Sequence, residues 1–62
     1  MLFFNRNKKV IKSVVDYYEG NAAAIPYTAN DLGKALAYCK KNRIDYSDET
    51  IEKVKMAKIR VE

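Results

Sequence analysis

Histidine and tryptophan are absent from this 62-residue chain, cysteine and proline occur once each, and glycine occurs twice. Each shortage removes something. Without histidine, no side chain has an unperturbed pKa near neutrality for acid-base work. Ser13, Ser47 and Cys39 therefore lack the imidazole of a hydrolase-type triad, and only a Ser-Lys variant stays formally open. The expectation is a protein without catalytic activity, with no small-molecule substrate. A lone Cys39 cannot close an intrachain disulfide, and with no histidine beside it there are too few soft ligands for structural zinc, so neither metal nor cofactor is expected.

Long apolar runs are missing as well. No stretch approaches the ~18 residues of a membrane span. Met1-Leu2-Phe3-Phe4 is followed within a few residues by Arg6, Lys8 and Lys9. A signal peptide has the reverse order, basic residues first and then about 7–15 apolar ones. Membrane anchoring by so short a segment gives too little apolar burial for stable attachment. A single thiol and no export pattern suit a reducing cytoplasm, of a bacterium or of a host cell.

What the chain does contain is the composition of a small folded helical domain, 48% hydrophobic and 32% charged. One core is all it can build. A domain of about 60 residues buries only roughly 60% of the surface its unfolded chain exposes, so with no disulfide or metal the remaining stability must come from helix packing, oligomerisation or a partner. Residues 1–62 form a single domain on this reading, and no internal repeat or low-complexity tract divides them.

The periodicity predicts three helices, over about 7–19, 29–41 and 48–60. In the first, Val10, Ile11, Val14, Val15 and Tyr18 lie on one stripe at helical spacing, Lys12 and Asp16 can pair across one turn, and Gly20 supplies a left-handed stop. Residues 21–27 hold three alanines and Ile25-Pro26, with room for one more helical turn over Ala22 to Ala24 before the proline forces extended geometry. Thr28 and Asp31 form an acidic version of the capping box that opens the second helix, whose inner face is Leu32, Ala35, Leu36 and Cys39. Lys40 and Lys41 complement its carbonyl pole, with Asn42 as a left-handed cap.

Ser47 caps the third helix, Tyr46 and Ile51 are spaced as a hydrophobic staple around it, and Asp48 and Glu49 fall in its first turn. Ile51, Val54, Met56, Ala57, Ile59 and Val61 are expected to supply apolar contacts. Beyond Val54 the helical pattern loosens, and residues 58–62 alternate with period two, so a short strand there, paired with residues 2–4, is the alternative to helix. Strong helix formers and the lack of a turn signal favour helix to about Arg60. The fold class is all-α, a small three-helix bundle.

Three features bear on function. The first is charge. The net charge of +4 is distributed in blocks, four cations in residues 1–15, three anions in 16–33, four cations in 34–43, four anions in 44–52, and four cations with one anion in 53–62. Acidic helix starts and basic helix ends explain most of this. The sharper alternative is a phosphate-binding surface of Arg6, Lys8, Lys9, Lys12, Lys40, Lys41 and Arg43. A helix-turn-helix is not supported. Asp31 to Leu36 fits its first helix, but the eleven residues from Leu36 to Ser47 exceed its turn, and Asp48, Glu49 and Glu52 would set carboxylates against phosphate.

The second feature is tyrosine, five copies in all. A large ring adds burial to a small core while its hydroxyl reaches water, and the same properties serve a binding surface. Tyr17 and Tyr18 point about 100° apart on one helix, so at least one is partly exposed, and Tyr38 lies off the inner stripe. The third feature is Leu2, Phe3 and Phe4, which either fold back over the bundle or meet another chain. Cys39 is most simply a small core residue.

These features together point first to a regulatory or interaction module that binds another protein, or itself, through Leu2, Phe3, Phe4, Tyr17 and Tyr38. Its size suits a phage or bacterial protein that acts by occupying a partner surface. The alternative is a basic nucleic-acid-binding module that uses the N-terminal half of helix one and the Lys40 to Arg43 cluster.

Overall fold

The computed structural model describes residues 5–61 as three α-helices, Arg6–Tyr18 (α1), Ala29–Lys41 (α2) and Asp48–Val61 (α3). Each begins where a side chain satisfies amide groups that the first turn leaves unpaired. Asn5 accepts from the Asn7 amide at 3.0 Å, which starts α1 one residue earlier than the periodicity implied. At α2 the capping box is reciprocal. The Asp31 amide donates to Thr28 Oγ1 at 3.2 Å, and the Thr28 amide donates to Asp31 Oδ2 at 3.3 Å. Ser47 Oγ accepts from the Thr50 amide at 3.2 Å and so opens α3.

The ends are built differently from one another. Gly20, with φ at 82°, closes α1 with paired bonds, its own amide to the Tyr17 carbonyl at 3.1 Å and the Asn21 amide to the Asp16 carbonyl at 2.8 Å. That crossing of a long and a short bond requires the left-handed residue glycine provides. Asn42, expected to take the same conformation, does not, with φ at −107°. It caps α2 with its side chain instead: Nδ2 and the backbone amide both donate to the Tyr38 carbonyl, at 2.8 and 3.0 Å. Residues 22–24 form no additional helical turn. The period-two alternation near the C-terminus is helix as far as Val61, so the strand alternative for residues 58–61 is wrong. The suggested strand at residues 2–4 lies outside the described residues.

α2 and α3 pair in opposite directions. Tyr38 in the last turns of α2 meets Tyr46 just ahead of α3, and Lys58 late in α3 lies over Gly33 early in α2. α1 packs on both, with Arg6 at its start against Asp31 of α2 and Tyr17 near its end against Arg60 of α3. Among the described residues the core takes three side chains from each helix: Val10, Ile11 and Val14, then Leu32, Ala35 and Cys39, then Ile51, Val54 and Ala57. All are aliphatic or small. The tyrosines stay out of it: Tyr18, Tyr27, Tyr38 and Tyr46, with Ile25 and Leu36, are half-buried around its rim. Met56, Ile59 and Val61, expected as apolar contacts within the fold, are exposed, because α3 turns only one narrow stripe inward.

Gly33 sits in the middle of α2 without the left-handed backbone that would justify a glycine. A methyl group there would come within 3.3 Å of Lys58 Cε, the far end of a flexible chain that can move aside. Gly33→Ala is therefore expected to stabilise the domain by about 0.5–1 kcal/mol from helix propensity alone. A rise in the urea midpoint checks this, and an unchanged or lower midpoint would show that Lys58 cannot yield.

The capping box also makes stability depend on acid. The Asp31 carboxyl is held below its ordinary value, first by the Thr28 amide, against which burial acts next in size, and then by the Thr28 hydroxyl and the Arg6 guanidinium. A carboxyl lowered in the folded state contributes stability above its unfolded pKa and loses it as pH falls through the folded value. Acid titration of the urea midpoint is thus expected to show a loss beginning near pH 4 and continuing below it. That loss should be smaller in Asp31→Asn.

Candidate interaction surface

Several of the aromatic and basic residues singled out by the sequence are engaged within the fold. Leu2, Phe3 and Phe4 lie outside the described residues. Tyr17 is half-buried, edge-on to Tyr18 with ring centres 5.1 Å apart, and the Arg60 guanidinium stands 5.2 Å over its ring. Tyr38 packs against the core and edge-on to Tyr46 at 6.2 Å. Burial pushes the Tyr46 hydroxyl up, helped by Tyr38 and Asp45 beside it. Neither Tyr17 nor Tyr38 stands out as a free anchor.

The cations divide similarly. Arg6 pairs with Asp31 at 3.4 Å and lies 5.5 Å from the centre of the Tyr27 ring, Lys12 pairs with Asp16 at 3.3 Å, and Arg43 pairs with Asp48. Lys8, Lys9, Lys40 and Lys41 are exposed. The two basic clusters do not merge. The first meets α2 at Asp31, the second lies at and beyond its last turn, and the ten residues from Asp31 to Lys41 span about 15 Å of helix. Closer together is a stretch on the outside of α2, where Asn30, Lys34, Ala37 and Lys41 are all exposed, follow one another at i, i+4, i+7 and i+11, and include no carboxylate. Lys34 also lines a shallow groove of about 450 Å³ with Ala29, Asn30, Gly33, Ala37 and Lys58.

The apolar surface that the sequence reading missed is on α3. Ile59 is 64% exposed and Met56 52%, both on the side turned away from the core stripe of Ile51, Val54 and Ala57. Ile44, in the link between α2 and α3, is fully exposed. Glu52, Met56 and Arg60 recur at i, i+4 and i+8 on the same outward side, all exposed. The signal for this in the sequence was the loosening of the apolar pattern after Val54. Apolar residues that fall off the inner stripe are candidates for contacts outside the domain.

Among the described residues no group of acidic or cysteine side chains is arranged to hold a metal ion. Cys39 is wholly buried, its thiol donates to the Leu36 carbonyl at 3.3 Å, and burial pushes its pKa up. It should react with a disulfide reagent such as dithiobisnitrobenzoate only when the domain opens. Labelling in native buffer is expected to be slower than in denaturant by at least about 100-fold, and a fast native reaction would contradict its burial. Among the described residues no helix is long and apolar enough to cross a membrane. No protein-family model, curated protein or solved structure matches the chain.

Proposed function

We propose that this protein is a small non-catalytic interaction module that binds a protein surface, of another protein or of a second copy, through the outward side of α3. The observation that carries the reading is the exposure of Met56 and Ile59, two large apolar side chains three residues apart on a helix side that the fold leaves uncovered. Side chains of this kind lose their water only when something covers them, and that gain is what drives association. Leu2, Phe3 and Phe4 remain candidates for contact with a partner, whereas Tyr17 and Tyr38 support the reading by holding the helices in place. The lack of histidine and the inert environment of Cys39 favour the non-catalytic part.

A photo-crosslinking residue installed in turn at positions 56, 59 and 12 of the full chain in cells tests this. Capture of a defined protein species at 56 and 59 but not at 12 is the expected result. Equal capture at all three, or none, would sink the reading.

A second reading, nucleic-acid binding, is favoured by the carboxylate-free run Asn30, Lys34, Ala37 and Lys41. It differs from the expectation drawn from sequence in that Arg6, Lys12 and Arg43 already have carboxylate partners. Titration with duplex DNA at low and at physiological salt would move the amides of residues 34–41 and weaken steeply with salt, and each lysine removed would shallow the slope by about one unit. No amide movement at low salt would end that reading.

A further inference from the structure

Gly33 has an ordinary helical backbone, so the turn geometry that demands glycine at position 20 is absent here, and glycine in mid-helix lowers the stability of α2. It lies instead in the shallow groove between α2 and α3. Ala29 one turn before it and Ala37 one turn after it line the same groove, so along this strip of α2 no side chain is larger than a methyl. Lysines wall the strip on both sides. Lys34 rises from α2 itself, and Lys58 reaches across from α3, its Cε within 3.3 Å of where a Gly33 Cβ would stand. Lys41 follows Lys34 by two turns and Lys55 precedes Lys58 by about one, both exposed. Because α2 and α3 run in opposite directions, these two lysines continue the walls the same way. None of the described residues that line the groove is acidic, and Asp31, the carboxylate of α2, is turned to α1 and paired with Arg6.

A floor of methyl and Cα groups between ammonium groups sets two requirements on whatever covers it. The occupant must bring apolar surface narrow enough to reach the α2 backbone, and carboxylates or phosphates on both sides of that surface. Nucleic acid meets only the second. The outside of a duplex is phosphate and sugar, and among the described residues no aromatic side chain lines the groove for an unpaired base to stack on. A helix with a stripe of alanine or leucine between rows of glutamate or aspartate meets both. Small residues four apart let a second helix approach α2 closely, and lysine stems cover its apolar flanks while their ends meet its carboxylates.

We propose that the groove over Gly33 is the docking site for an acidic amphipathic helix of a partner protein, its apolar stripe laid on Ala29, Gly33 and Ala37 and its carboxylates held by Lys34 and Lys58. Glycine at position 33 then gives up fold stability for close approach. The groove shares no residue with the Met56 and Ile59 surface, so either surface can fail without the other.

Titration of the isotopically labelled full chain at low salt, followed by backbone amide shifts, tests this. The ligand is a synthetic peptide of about 18 residues with glutamates on either side of an alanine-leucine stripe. A peptide of the same composition in shuffled order and a duplex of about 15 base pairs are run beside it. The striped peptide should move the amides of residues 29–37 and 55–58 with half-saturation on the order of 100 µM, and the shuffled one should bind at least about fivefold more weakly. Gly33→Ala should weaken the striped peptide by at least about fivefold while raising the urea midpoint, an opposition that a loss of folding cannot produce. Lys34→Glu should weaken it by at least about fivefold, whereas Lys8→Glu, the same change of net charge on α1, should change it by less than about twofold.

Stationary amides at about 1 mM striped peptide, equal affinity for the two peptides, or undiminished affinity in Gly33→Ala overturns the proposal. A duplex that moves these amides where the striped peptide does not overturns it in favour of nucleic acid.

Discussion

Leu32→Ala is expected to leave a large share of the chain unfolded at physiological temperature. Among the described residues Leu32 is the largest side chain that the fold buries completely, and it contributes to a core of nine of them, three being Ala or Cys. Truncating a buried leucine removes its transfer free energy and leaves a cavity, and together these cost about 2–5 kcal/mol. A domain below about 70 residues with neither disulfide nor metal has a total stability of only about 3–5 kcal/mol. The two figures nearly cancel. At the middle of the first range the folded fraction falls more than about 100-fold relative to the unfolded, and the thermal midpoint drops by roughly 14–28 °C. Thermal melts followed by circular dichroism check this. A drop of less than about 5 °C would mean that the neighbours of Leu32 collapse into the space, or that a second copy supplies stability the single domain lacks.

The helices were legible because each signal for them is local. Thr28 and Asp31 lie three residues apart and cap by contacts within one turn. The same holds for Ser47 with Thr50, and Gly20 needs only its own φ. The misreadings arise where the deciding contact is distant or two local solutions compete. Asn42 had two ways to close α2, a left-handed backbone or an amide side chain on the Tyr38 carbonyl, and residue type does not choose between them. The alternation of Lys58, Ile59, Arg60 and Val61 matches the period of a strand. Helix wins because Ala57 and Val54 one turn earlier pack into the core and carry the segment with them.

The candidate site was less legible, for a geometric reason. Periodicity says that an apolar residue lies off a stripe, but only the packed structure says whether a neighbour covers it. Tyr17 and Tyr38 looked available because they lie off the inner stripes of their helices, yet Arg60 covers one and Tyr46 meets the other, partners 43 and 8 residues away in the chain. Met56 and Ile59 looked internal because they are apolar within a helix, yet neither α1 nor α2 reaches that side. The basic clusters could be listed from sequence, but their separation along α2 follows from where α1 crosses it.

One substitution made at two positions of α3 separates what the helix does for the fold from what it does for binding. Val54 is wholly buried and Ile59 is 64% exposed, five residues apart. At Val54→Asp a carboxylate would enter a core in which, among the described residues, no buried polar or charged side chain is present to meet it. The penalty for an unpaired buried charge is several kcal/mol even after relaxation, as large as the whole stability of such a domain, so the variant is expected to be unfolded near neutral pH. Folding the chain would require the new carboxyl to be protonated, raising its folded pKa. A group raised on folding favours the folded state below its unfolded pKa and opposes it as pH rises, so the variant should regain helix on acidification, opposite to the acid loss set by Asp31. At Ile59→Asp the same carboxylate stays in water, and helicity and urea midpoint should change by no more than about 0.5 kcal/mol. Its effect should appear only in association and crosslinking, which it should abolish, since a charge at the centre of an apolar contact is desolvated without a partner. If Ile59→Asp unfolded the chain as Val54→Asp does, the outward side of α3 would be structural rather than a binding surface.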